Sequence, residues 1–459
     1  MLFNSQAFLV CFLPVVVVAY YACAKHRTLR VWLLIVASLG FYAYWDLRFL
    51  PLLVGSVCVN WLFARMFVAR RSGLWLAAGV ALNLIVLGLF KYYDFFADNL
   101  AAIGGWRPES WSLILPLGIS FFTFQQISYL VDLYRGGAGL YKFADYALYV
   151  TFFPQLIAGP IVRHSEIIFQ YDLSPLREGL DERLSRGLTL LAIGLVKKVA
   201  LADHLAKIVD PLYADASARA LSFAESWLSA FGFGFQVYFD FSGYSDMAIG
   251  LGLIFGLGLP VNFNAPYVAV SIRDFWRRWH MTLSRFLRDY LYIPLGGSRH
   301  GPWRQAGALA VTMLLGGLWH GAAWTFVAWG GLHGLALAVN HAWESTGRRL
   351  PKGIAWALTM VFVFLSWVLF RADSFAVATG IWLSNFGVNG LSFTLDNLKH
   401  PWLVGIAAAA AILGATSQRI ALEQLVPRRV FGVVVGLVLV AVLLQVGGGN
   451  DAEFVYFQF

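Results

Sequence analysis

Two histidines, His320 and His333, stand in a stretch from Ala306 to Asn340 that holds no Asp, Glu, Lys or Arg. An imidazole takes up or releases a proton near neutral pH, so it can serve as a base or an acid. In hydrocarbon a polar side chain costs free energy unless it is paired or faces a wet cavity, which marks intramembrane histidines as functional candidates. His320 lies in Leu318-Trp319-His320-Gly321, with Trp324 close behind, a setting that suits a shaped cavity. A histidine hydrogen-bonded into a helix interface fits the same residues, and the spacing leaves both readings open.

A third histidine, His280, closes the segment Arg273-Asp274-Phe275-Trp276-Arg277-Arg278-Trp279-His280. Tryptophan and arginine at this density suit an interfacial helix anchored at headgroup depth. They also suit a pocket for an anionic donor, because arginine forks hold phosphate well. Coenzyme A and acyl carrier protein both carry phosphate on a pantetheine arm, so Arg277, Arg278 and Trp279 are candidate donor-binding residues. Gln236, Asp240, Ser242 and Asp246 interrupt another apolar run, and two carboxylates there should face a bundle interior, either paired with arginines of the following loop or taking part in catalysis. Asp132 and Arg135 read as a similar internal pair. The segment Phe152–Pro160 is apolar but carries two prolines, Pro154 and Pro160, and suits an irregular or re-entrant lining. Gly243-Tyr244-Ser245-Asp246-Met247 lacks the last glycine of a nucleophile elbow. The sequence has neither a Walker A nor a dinucleotide motif, and no metal-binding cluster.

Long apolar helices must position these groups. With 59% hydrophobic and 13% charged residues and a mean hydropathy of +0.68, the chain lies outside the range of soluble domains. Spans are predicted near 7–24, 31–46, 49–68, 74–96, 111–131, 188–206, 222–239, 243–259, 306–319, 322–343, 354–371, 402–416 and 430–447, which gives an all-α polytopic bundle of about ten to thirteen membrane-embedded helices, some re-entrant. No linker or repeat divides the sequence, so 1–459 reads as one membrane domain with a chemical core near 111–345. The net charge of +9 reflects basic cytoplasmic loops rather than nucleic-acid binding. Lys25, Arg27 and Arg30 after the first span place the N-terminus outside, and that span reads as a retained helix. The arginine-rich stretch Pro260–Gln305 and the Arg348–Lys352 stretch read as cytoplasmic, so the segment between them must cross and return near Gly316–Gly321. Fourteen residues rise roughly 21 Å against a hydrocarbon core of about 30 Å, which sets His320 within the membrane, approached from the side opposite the arginines. Cys11, Cys23 and Cys58 sit in apolar runs and read as packing residues.

Taken together, Phe152–Pro160 with Arg163, Gln236–Gly250, Asp274–Ser284, Asp289–Gly297, Leu318–Gly321 with Trp324, and the closing Phe454-Val455-Tyr456-Phe457-Gln458-Phe459 resemble the membrane-bound O-acyltransferase (MBOAT) family. The likeness extends to its bacterial alginate O-acetylase-like, polysaccharide-modifying subgroup. It implies a helical bundle enclosing a tunnel, with His320 as the essential histidine and His280 as the second characteristic polar position. It further implies no bound cofactor, and acetyl-CoA or an acyl carrier protein thioester as donor substrate. Acetyl would cross the bacterial inner membrane to SGNH-hydrolase-like extracytoplasmic partners that modify an alginate-like polymer. D-alanyl transfer to teichoic acid and peptidoglycan O-acetylation are alternatives within the family. A transporter or flippase using His320, Asp240 and Asp246 is the alternative of another class.

Overall fold

The computed structural model describes residues 1–105, 113–299, 301–395, 398–446 and 454–455. Tyr456 to Phe459, and the opening of the predicted 111–131 span, lie outside the described residues. Regular structure among the described residues is helical, without a strand. Five helices are long and apolar enough to cross a membrane: Arg27–Trp45, Leu47–Arg70, Gly73–Gly104, Lys352–Arg371 and Arg429–Val446. Ala7–Ala22 and Trp402–Leu413 are shorter apolar helices. Their outward faces carry large bare aliphatics such as Val433, Leu437 and Leu444, which only a lipid surround accommodates without cost. The protein is an all-α, multi-pass membrane protein.

The predicted spans recur as helices with one informative difference. The two spans drawn at 222–239 and 243–259 are a single helix, Phe223–Ile254, of 32 residues. In sequence the polar run Asp240–Asp246 reads as a break in the apolar pattern, but all of its polar side chains are buried within the helix's packing. Phe152–Pro160 is irregular as predicted: one short turn of helix, Phe153–Leu156, then turns and extended chain, all of it buried.

The Cα framework divides into two compact units. One comprises Met1–Gly194, Tyr244–Val261 and Ala421–Glu453; the other comprises Leu195–Gly243, Asn262–Ile420 and Phe454–Phe459. The first two crossing points fall inside helices, within Leu180–Val196 and Phe223–Ile254, so no linker composition announces them. In the first unit, Asn60 and Asn83 exchange amide hydrogen bonds between two apolar helices. Arg27 bonds both Asp145 and Asp172 there, and His164 lies between Asp132 and the Tyr141 hydroxyl. Asp132 thus finds a histidine from a distant segment.

The second unit holds the candidate site and is organised by the hairpin of Pro302–His320 and Trp324–Ser345. Pro302 starts the first helix, where its missing N–H would have had no intrahelical partner anyway. Nineteen residues rise about 28 Å, and His320 is the last of them. Gly321 then turns extended and the chain re-enters helix at Trp324. The two helices touch backbone to backbone: a Cβ on Gly317 would overlap the Phe326 carbonyl oxygen and come within 3.1 Å of the Gly330 Cα. A Cβ on Gly330 would in turn overlap the Met313 carbonyl. Such small-residue contacts let membrane helices pack closely. Gly317→Ala or Gly330→Ala should therefore push the helices apart and destabilise the fold by about 1–3 kcal/mol, read as a lowered unfolding temperature in detergent. An unchanged midpoint would contradict this packing.

Candidate active site

His320 closes its helix with only 6% of its surface exposed. Its ring is held by three aromatic neighbours: Trp319 at 5.0 Å, Phe370 at 5.1 Å and Trp329 at 5.3 Å, the last edge-to-face at 90°. Trp319 also reaches the ring of His280, at 6.3 Å between centroids. One indole therefore lies between the two predicted histidines.

His280 is fully buried and sits between the short helices Ile272–Arg278 and Met281–Leu287. Ser271 caps the first of these through Asp274 N–H. The backbone at His280 is left-handed, φ +41°, a conformation costing a non-glycine residue on the order of 1 kcal/mol. The Met281 N–H donates to the Asn262 carbonyl and holds that turn. Asn262 Oδ1 accepts three hydrogen bonds, from Thr282 N–H at 3.2 Å, Thr282 Oγ1–H at 2.9 Å and His280 Nδ1–H at 3.1 Å. An oxygen so surrounded fixes the tautomer: Nδ1 carries the proton and Nε2 the lone pair. Burial pushes this imidazole down to about 3, so it stays neutral at physiological pH. Phe241 packs edge-on against it at 4.7 Å.

His333 has a different environment. Trp276 Nε1–H donates to its Nδ1 at 3.1 Å, its Nε2–H donates to Ser366 Oγ at 3.0 Å, and Ser366 donates onward to the Val363 carbonyl. Both ring nitrogens are satisfied, which makes His333 a brace between three helices. Its ring lies 4.7 Å from that of Trp329, tilted at 55°, and Trp329 is also a neighbour of His320.

Trp276 also faces a cavity of about 730 Å³ in the same unit. Arg273, Arg277, Arg285 and Arg288 line it against one carboxylate, Glu344, and Ser284, Thr312, Asn340 and His341 add polar atoms. Glu344 bonds Arg273 at 2.7 Å, which fixes that wall. Met313, another lining residue, stands seven residues before His320, two turns along the same helix face.

Of the residues singled out by sequence, Arg277 lines this cavity. Arg278 turns away from it: its Nε bonds Asp274 at 2.9 Å, an i,i+4 pair favoured by helix geometry. Trp279 is core, packed on Phe275 and Trp367. Gln236 and Ser242 are buried on the Phe223–Ile254 helix, whereas Asp246 belongs to the first unit. Asp240 pairs with Lys198 at 2.8 Å, a partner from a preceding helix and not from the arginine loop. Trp319 joins the histidines, while Trp324 is 55% exposed at the start of its helix. Sequence reasoning misses Asn262, Trp276, Arg285, Arg288 and Lys198 as site residues. Lys198 has a visible signal, a lysine inside an apolar run, and Trp276, Arg285 and Arg288 lie in the arginine-rich stretch Pro260–Gln305, whereas Asn262 has none. Among the described residues there is no His, Cys, Asp and Glu grouping fit for a metal.

Fold and site thus define a helical membrane protein built around buried histidines and a cationic cavity. Residues 133–379 match the membrane-bound O-acyltransferase family. The peptidoglycan O-acetyltransferase of Helicobacter pylori is 44% identical over 428 residues, covering 85% of this chain and 81% of that protein. The probable alginate O-acetylase of Pseudomonas aeruginosa is 40% identical over 425 residues, 90% of this chain and 80% of that one. The teichoic acid D-alanyltransferase of Streptococcus thermophilus is 30% identical over 250 residues, 52% of this chain and 60% of that one. The chain belongs to the MBOAT family and is an acyltransferase, which removes the transporter reading.

His333→Leu should leave the Trp276 indole N–H buried without an acceptor, at about 1–3 kcal/mol. Thermal unfolding in detergent should show that loss, and His333→Asn, which restores an acceptor near Nδ1, should recover part of it. A leucine variant as stable as the parent would show that the brace contributes nothing.

Proposed function

We propose that the enzyme transfers acetyl from a cytoplasmic thioester toward an extracytoplasmic glycan, with His320 as the general base. The observation that carries this reading is the arginine-lined cavity next to the helix that ends in His320. Guanidinium groups suit the phosphates of coenzyme A or of a carrier-protein pantetheine, and about 730 Å³ accommodates a pantetheine arm. The membrane orientation rests on the basic excess of Pro260–Gln305, which belongs on the cytoplasmic side.

A hydroxyl is a weak nucleophile until its proton is removed. His320 takes that proton as the oxygen attacks the thioester carbonyl, and it returns the proton to the sulfur as the C–S bond breaks. An ester and a free thiol result. His280 holds its proton on Nδ1, so its Nε2 accepts a hydrogen bond. It therefore orients an N–H or O–H of the donor or acceptor. The first acceptor is the hydroxyl of an extracytoplasmic partner of the SGNH-hydrolase type, which passes acetyl to the polymer.

An alginate-like exopolysaccharide is the primary acceptor reading, and the inner membrane of a bacterium is the location. Peptidoglycan is the second, favoured by the 44% identity to the Helicobacter pylori enzyme. D-alanyl transfer has weaker support, since that likeness covers only 52% of the chain.

Purified protein in liposomes should release free thiol from acetyl-CoA or an acetylated carrier protein when an acceptor is supplied. His320→Ala should abolish release while inserting normally; a fully active alanine variant sinks the base assignment. Arg277→Glu with Arg285→Glu should raise the donor KM by about tenfold or more, with a smaller change in kcat, because charge-assisted phosphate bonds are worth about 1.5–3 kcal/mol each. An unchanged KM would remove the donor from this cavity. Acetyl-ester content of exopolysaccharide and of peptidoglycan, compared between parent and deletion strains, separates the two acceptors.

A further inference from the structure

Lys198 is buried to 1% exposure in the widened helical turn Lys197–Ala202. Its ammonium bonds Asp240 Oδ1 at 2.8 Å and Asp203 Oδ1 at 2.9 Å. The second oxygen of Asp240 accepts the backbone N–H of Val455 at 3.0 Å. The Phe454 ring lies under the same ammonium, 4.5 Å from nitrogen to centroid. Phe454 and Val455 are 1% and 8% exposed. These two residues are packed into the second unit, although the stretch before them, Ala421–Glu453, belongs to the first. Charges inside a packed core are expensive when a partner is lost. Lys198 and Asp240 thus hold the segment at two points, one through its ring and one through its main chain.

We propose that Lys198 and Asp240 form a buried receptor for the chain's own Phe454–Val455 segment, and that its docking positions His280 for acyl transfer. The link is short. Asp240 is followed by Phe241, whose ring packs at 88° and 4.7 Å on the His280 imidazole. Two residues before Asp240, Tyr238 packs on Trp279, the neighbour of His280. Withdrawing the segment takes a donor from a buried carboxylate and a ring from a buried ammonium, and the Asp240 side chain with its helix turn must readjust. The aromatic shelf under His280 moves with that turn. Lys198 and Asp240 are then positioning residues that touch no substrate. The link to catalysis rests on the acyl-transfer reading above, whereas docking itself does not.

Two measurements test the two halves separately. In full-length protein with the three natural cysteines changed to serine, Val455→Cys keeps the backbone donor and should react slowly with a water-soluble maleimide. Adding Lys198→Met or Asp240→Ala should accelerate labelling by about tenfold or more if opening is the limiting step. Equal labelling rates would overturn the receptor. Val455→Pro removes the N–H and keeps an apolar side chain; in otherwise unaltered protein it should lower kcat about tenfold while the donor KM stays within about twofold, because the donor cavity is untouched. A chain stopped after Glu453 should show the same split, and a synthetic Phe454–Phe459 peptide should restore its kcat unless Asp240→Ala is also present. A Val455→Pro protein with parental kcat would end the positioning role. If the parent shows no thiol release at all, the functional reading fails, and the labelling rates still decide the docking.

Discussion

The second unit depends on one backbone contact, where Gly317 and Gly330 let two helices meet without side chains between them. That contact fixes the hairpin, and the hairpin supplies most of what the site uses. Its first helix ends at His320 and carries Thr312 and Met313 on the cavity wall. Its second carries Trp329 against His320, His333 against Trp276, and Asn340, His341 and Glu344 around the cavity. Helices held a methyl group further apart could not keep aromatic rings in contact with an imidazole on one and a tryptophan brace on the other. Close packing thus precedes chemistry in this protein.

The buried histidines of the second unit, His280, His320 and His333, separate by their surroundings. His333 has both satisfied by fixed protein groups, so a proton there has nowhere useful to go. His280 has one nitrogen committed to Asn262, and the commitment decides which end of the ring offers a lone pair. His320 is framed by aromatic rings at a helix end, where the main chain leaves helical geometry. Three identical side chains therefore divide, through their neighbours, into a brace, an oriented acceptor and an imidazole walled by aromatic rings.

The fold is largely legible in the sequence because lipid imposes a simple rule: long apolar runs become helices. Nearly every predicted span has a helical counterpart, and the charge-free stretch around His320 folds as the hairpin of Pro302–His320 and Trp324–Ser345. Legibility fails where partners are far apart in the chain. Asp240 is paired from 42 positions away, Trp276 meets His333 across 57, and Ser366 meets it across 33. No local spacing encodes such pairs. The polar run at Asp240–Asp246 consequently reads as a break, although it lies inside one long helix. Asn262 sits in a loop-like stretch and gives no sign that it sets the tautomer of His280. The division into two units is equally hidden, since the chain passes between them at Gly194 and Gly243 within helices.

The left-handed turn at His280 narrows the alphabet available to that position. Glycine tolerates such a backbone freely, and asparagine is the side chain that both adopts it and offers an amide donor toward Asn262. A β-branched or bulky replacement would strain the chain before its chemistry mattered. Sequence drift there should run through a channel only a few residue types wide, set by a torsion angle as firmly as by reactivity.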